Sequence, residues 1–266
     1  YFDNEGNLKS SSVNSGDTMN LDGSFSGKKF ILNKQLNVVG TSTNSMRDCT
    51  VVLLSEASGS TVSHLNIVNN GVDKQGVFIV GATNCNVHDN KITCSGVSSF
   101  PIALNPGSHH NIISNNNIII DSTRDVIGIY IAMADNTIIR DNNIKLTAGN
   151  IAYSVYNIYS PDFKVFMSTI WTANTKIIHN FIDAKGSIVC LINSIEAKNT
   201  LVDSNILIAT ADGGSYGYFG YKTSGDIIRY NDFTINGTLN NRPLAPNVGQ
   251  TGIYLSSGSS NVLILE

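Results

Sequence analysis

The chain has 266 residues, a formal net charge of −3, and 14% charged residues, against about 25% in an ordinary globular protein. It has no basic run to suit nucleic acid, no apolar stretch near the roughly 18 residues of a membrane span, and too few cysteines (four) for a disulfide scaffold. With 34 Asn, 32 Ile, 23 Gly and only 5 Pro, the composition favours short strands joined by tight turns and excludes both disorder and a helical fold.

Residues 1–45 lack any repeating phrase. "SGDTMNLDGSF" followed by "KKFILNKQLNVVG" reads as an N-terminal cap and first turn. From residue 46 onward one phrase recurs: apolar, two polar residues, Asn, a variable residue, apolar. Its Asn falls at Asn90, Asn116, Asn142, Asn180, Asn205 and Asn231, at steps of 26, 26, 38, 25 and 26. Between its copies lies a second phrase, Gly76-Val77-Phe78-Ile79, Pro101-Ile102-Ala103-Leu104, Gly128-Ile129-Tyr130-Ile131, Ser154-Val155-Tyr156-Asn157, Ser187-Ile188-Val189-Cys190, Gly217-Tyr218-Phe219-Gly220 and Gly252-Ile253-Tyr254-Leu255. Both phrases alternate with period two, so each predicts a short strand with one face inward.

A repeat near 25–26 residues with two or three strands predicts a coil stacked on itself, because one coil cannot bury its apolar face alone. The expected fold is all-β, a right-handed parallel β-helix over residues 46–266, the handedness following from strand twist. At one phase the column 62, 87, 113, 139, 177, 202, 228 reads Val, Val, Ile, Ile, Ile, Val, Ile, as a shared core requires. The six Asn are read as structural: each tolerates a left-handed bend and passes its amide to the next rung as a ladder.

Two insertions break the period, near 156–174 and 234–250. The first holds Tyr159, Phe163, Phe166 and the only Trp, Trp171; the second opens with the glycosylation sequon Asn236-Gly237-Thr238. The chain begins at Tyr1 rather than Met and ends in the apolar run Val262-Leu263-Ile264-Leu265, so it is expected to be a fragment of a longer protein.

These residues resemble the parallel β-helix repeats of adhesin-like surface proteins from methanogenic archaea. "YFDNEGN", "SGDTMNLDGSF" and rungs such as "NCNVHDNKIT" followed by a Gly-Ile-Tyr-Leu phrase carry the resemblance. The rung is also similar to those of NosD-type copper-related proteins and of pectin-degrading enzymes. The resemblance implies an extracellular, cell-surface location more strongly than it implies a ligand.

On the face of the second phrase the outward columns 78, 103, 130, 156, 189, 219, 254 and 80, 105, 132, 158, 191, 221, 256 hold no carboxylate and no His. Beside the Asn strands, Asp89 and Asp141 share a phase two rungs apart, about 10 Å, but read as a solvated edge. His64, His88, His109, His110 and His179 do not converge on one ion, and no cofactor or metal is expected. The four Cys read as small core residues, Cys190 in an inward column.

The expectation from the sequence is therefore a non-catalytic, cell-surface adhesin-like module, not an enzyme, whose partners are surface glycans or proteins of another cell. Candidate contact residues are Phe78, Tyr130, Tyr156, Tyr159, Trp171, Phe219 and Tyr254, aromatics suited to stacking on sugar rings. The alternative is a β-helix polysaccharide lyase or glycoside hydrolase.

Overall fold

The computed structural model describes residues 1–266 apart from 97–98, 159–171, 238–249 and 257, with the backbone alone described at 10, 156–158 and 250. Three short strands per turn, separated by tight bends, stack rung on rung, and every pairing between the strands is parallel. The fold is a parallel β-helix.

The first face is a sheet of ten strands among the described residues: Thr18–Leu21, Asn37–Gly40, Thr61–Ser63, Asn86–His88, Ile112–Ser114, Ile138–Arg140, Lys176–Ile178, Leu201–Asp203, Ile227–Arg229 and Leu263–Leu265. The second face includes Asn66–Asn69, Lys91–Cys94, Asn117–Ser122, Asn143–Ala148 and Asp232–Gly237. The third includes Gln75–Val80, Phe100–Leu104, Val126–Ala132, Ile151–Ile158 and Gln250–Leu255. Two long strands, Phe181–Ile195 and Ile206–Tyr221, run from the second face round a corner into the third. Strand stacking starts at Thr18, within the segment assigned to the cap and first turn, because Met19 pairs with Val38 and Val38 with Val62.

The core follows from strand alternation. Val62, Val87, Ile113, Ile139, Ile177, Val202 and Ile228 are all buried in one column of mutual Cα partners. Branched aliphatics stacked on themselves pack at equal spacing in every rung, so a column tolerates only residues of similar shape. Cys49, Cys85, Cys94 and Cys190 are free and buried. Burial pushes all four thiols up, Cys94 to about 12, so none is poised to react.

The corner between the first and second faces is a single left-handed residue. His64, Asp89, Asn115, Asp141, His179, Ser204 and Tyr230 have φ between 54° and 58°. This corrects the expectation that the recurring Asn takes the bend: the residue before it does. The Asn itself points inward. The Asn142 amide oxygen accepts from the Asn116 main-chain N–H (2.9 Å) and the Asn116 amide (3.0 Å). Its own amide donates to the Ile113 carbonyl (2.9 Å) and to Asn180 (3.0 Å). The same pattern links Asn90 to Asn116, Asn180 to Asn205 and Asn205 to Asn231. The left-handed residue frees main-chain groups from sheet pairing, and the Asn amides satisfy them inside the core.

Register on the third face differs from expectation in one rung. Tyr156 pairs with Asn193, and Asn193 with Phe219, so Asn193 and not Val189 occupies the central outward column. Ile195, not Leu191, pairs with Tyr221 in the following one. Val189 and Leu191 belong to the core. Cys190 pairs with Tyr153 and Tyr216, on the outer side and not in an inward column. The phrase that continues the column in this rung is Leu191-Ile192-Asn193-Ser194, and it follows Ser187-Ile188-Val189-Cys190 in the same strand. In Val126–Ala132 the burial runs buried, half, buried, buried, half, buried, buried, so two successive residues face inward. The first of the two is often Gly: a Cβ at Gly128 would lie 3.2 Å from the Ile144 side chain, and one at Gly217 would lie 2.2 Å from the Phe233 ring.

Candidate functional site

Two surfaces outside the core gather polar or aromatic groups. One is the ridge at the left-handed corner between the first and second faces. Because each rung places the same two positions there, side chains from successive rungs line up along it. In rung order it presents His64, then His88 and Asp89, then Asn115, then Arg140 and Asp141, then His179, then Asp203 and Ser204, then Arg229 and Tyr230.

Neighbours on this ridge pair. His88 Nδ1 lies 2.6 Å from Asp89 Oδ2, and its ring meets His64 edge to face at 6.1 Å. Arg140 donates to Asp141 at 2.7 Å, and His179 Nδ1 lies 3.9 Å from the other Asp141 oxygen. Asp203 accepts twice from Arg229, at 2.7 and 2.9 Å, and once from the Ser204 hydroxyl at 2.8 Å. Its side chain is 12% exposed. Burial by itself would push the Asp203 carboxyl up, but the hydrogen bonds from Arg229 and Ser204 and the nearby positive charge outweigh it and hold the group below the usual carboxylate range. Arg229 also lies over the Tyr230 ring, 5.6 Å from its centroid, and Tyr230 is 60% exposed.

The ridge can therefore do proton-transfer chemistry. Asp203 stays anionic, as a carboxylate that takes a proton from water must be, while its pairing with Arg229 lowers its basicity. The imidazole of His179 sits on the rung between Asp203 and Asp141, with one ring nitrogen toward Asp141. Sequence reasoning weighed only Asp89 with Asp141. Those two are separated by the Asn115 rung and each pairs with its own neighbour. Asp203 went ungrouped because it lies one residue before the corner and Asp141 lies on it, so the two never share a phase. Among the described residues no three His, Cys, Asp or Glu side chains gather as a metal site.

The other surface is the third face. Its central outward column reads Phe78, Ala103, Tyr130, Tyr156, Asn193, Phe219, Tyr254. Tyr130 stacks on Phe100 at 5.6 Å, and Phe219 stacks on Tyr254 at 5.4 Å with Tyr216 against both. Phe100 and Tyr216 come from an adjacent outward column that phrase matching did not register. Phe78 is half-buried. Tyr159 and Trp171 lie outside the described residues. Asn236 is exposed on Asp232–Gly237, and Thr238 of its sequon lies outside the described residues.

No family model and no curated protein matches the chain. Solved structures do. A DFA-IIIase from Arthrobacter chlorophenolicus A6 is 12% identical, covers 90% of this chain and has a TM-score of 0.50. A tailspike protein of Acinetobacter baumannii bacteriophage Fri1, a capsular polysaccharide depolymerase, is 9% identical, covers 98% of this chain and also has a TM-score of 0.50. The chain spans 58% of the first and 57% of the second. At such identities the likeness is one of fold. Both names are nevertheless those of enzymes, and they overturn the expectation of a non-catalytic adhesin-like module that is not an enzyme. Among the described residues no helix is long and apolar enough to cross a membrane.

Proposed function

We propose that the chain is a glycan-processing enzyme of the β-helix type, a glycoside hydrolase acting outside the cell on surface or capsular polysaccharide. The observation that carries this is Asp203, kept anionic by Arg229 and Ser204, with the Asp141–His179 pair on the two preceding rungs. The names of the two solved structures that share the fold, a DFA-IIIase and a capsular polysaccharide depolymerase, support the substrate class. The resemblance of the rungs to surface proteins supports the location.

In this reading a glycan crosses the ridge beside the exposed Tyr230 ring, an apolar surface on which a sugar can stack. Asp203 takes a proton from a water molecule as its oxygen attacks the anomeric carbon. His179, with Nδ1 toward Asp141, gives a proton to the leaving glycosidic oxygen as the C–O bond breaks. The two protons balance, and the side chains return to their starting states by exchange with solvent.

The test is product formation from a panel of neutral and acidic polysaccharides, read as new reducing ends. The wild-type chain should release product from at least one polymer, and Asp203→Asn should lower the rate about 100-fold or more, the usual contribution of an acid–base group. Asp141→Asn should lower it less and alter its pH profile, because it acts through His179. No product from any polymer, or equal rates for wild type and Asp203→Asn, would overturn the assignment.

A further inference from the structure

The third face is remote from the ridge, and its chemistry is different. Among the described residues its outward columns from Gln75 onward hold no Asp, Glu, Lys, Arg or His, and the Lys222–Glu196 pair borders them at Tyr221. Two aromatic stacks stand on it, Phe100 with Tyr130 and Phe219 with Tyr254. Tyr130 and Phe219 are three rungs apart, about 14 Å along the axis. Between them, in the same outward column, is Asn193. It is 3% exposed, and its amide oxygen has no hydrogen-bond partner. A buried amide acceptor without a donor is destabilising, so its retention on an outward column calls for an explanation.

We propose that this face is a second glycan-holding surface, which grips a neutral polysaccharide chain running along the coil axis. Each stack spends one ring face on its partner and keeps an outer face or edge for a sugar ring, and a sugar that settles between the stacks brings a hydroxyl to the Asn193 oxygen, which is buried until then. Rings fixed on a stacked sheet lose little conformational freedom when they bind, so the surface is organised in advance. The lack of charge selects neutral over uronate or sulfated polymers, which would lose water around their anionic groups with nothing to replace it. The choice of a glycan as occupant rests on the proposed function above. A surface of this kind would keep a long polymer attached while the ridge works on another stretch of it.

The experiment reads binding and not turnover, so its failure is separable from failure of the ridge assignment. Affinity electrophoresis is run in gels containing a β-glucan, a mannan, an α-glucan or a polyuronate. Every protein carries Asp203→Asn so that the gel polymer is not consumed. The parent should be retarded by at least one neutral polymer and not by the polyuronate, equally at 50 mM and 500 mM salt. Phe219→Ala with Tyr254→Ala should weaken retardation at least tenfold, and Asn193→Ala should weaken it several-fold. Thermal melting no lower than the parent's for Phe219→Ala with Tyr254→Ala and for Asn193→Ala keeps a folding defect apart from a lost contact. No retardation by any neutral polymer, retardation by the polyuronate that salt abolishes, or undiminished retardation of the variants would each overturn the proposal.

Discussion

Replacing Asn142 with Ala tests the inner amide ladder as the element that permits the corner. The Asn142 side chain lies in the middle of six linked amides. Its oxygen takes two hydrogen bonds from Asn116, and its amide serves the Ile113 carbonyl, the Arg140 carbonyl and Asn180. Removal strands the Asn116 main-chain N–H and the Ile113 carbonyl in the interior and takes one partner from the amides on either side. Two main-chain groups at about 1–3 kcal/mol each put the loss at about 2–6 kcal/mol, a large share of the stability of any single domain. The next residue is the control. Asn143 makes one ladder bond, to Asn117 at 3.2 Å, and points outward, so Asn143→Ala should cost under about 1 kcal/mol. Midpoints of denaturant unfolding for both variants, at unchanged slope, read the difference. Equal losses, or a loss below about 1 kcal/mol for Asn142→Ala, would mean that the amides are not what satisfies the corner.

Other outcomes follow from the same geometry. Ile139 is fully buried between Ile113 and Ile177, so Ile139→Ala should cost about 2–5 kcal/mol, whereas Ile138→Ala, at a half-buried outward position, should cost far less in the same melts. Asp226 is buried, accepts from the Thr200 main-chain N–H at 2.8 Å and from the buried Tyr218 hydroxyl, and is pushed above the usual carboxylate range by burial. A raised carboxyl stabilises fully only below its unfolded value and loses that contribution as pH rises through its folded value. Asp226→Asn should therefore unfold at higher denaturant than wild type at pH 7, with the gap closing toward pH 4. A gap that stays constant with pH would contradict this account.

The repeat was legible because every rung offers its residues the same surroundings. A column such as 62, 87, 113, 139, 177, 202, 228 reports one environment seven times, and both the core and the Asn positions could be read from it. The site was less legible for the opposite reason. Asp141, His179 and Asp203 come from three rungs and two different phases, and one of the intervals between them is the long step of 38 residues. No single column contains all three, so column reading leaves them apart.

Composition and period thus determined the all-β coil, its buried columns and the recurring Asn column, since these depend on local alternation and on stacking like upon like. Tertiary structure decided the rest. Pairing with Tyr156 and Phe219 puts Asn193 rather than Val189 among the aromatics, a register that the long step between these rungs hides from the sequence. The bend falls on the residue before each Asn, because the Asn side chain is needed inside to satisfy the main chain that the bend exposes. That single-residue corner turns Asp141 and His179 onto the ridge beside Asp203.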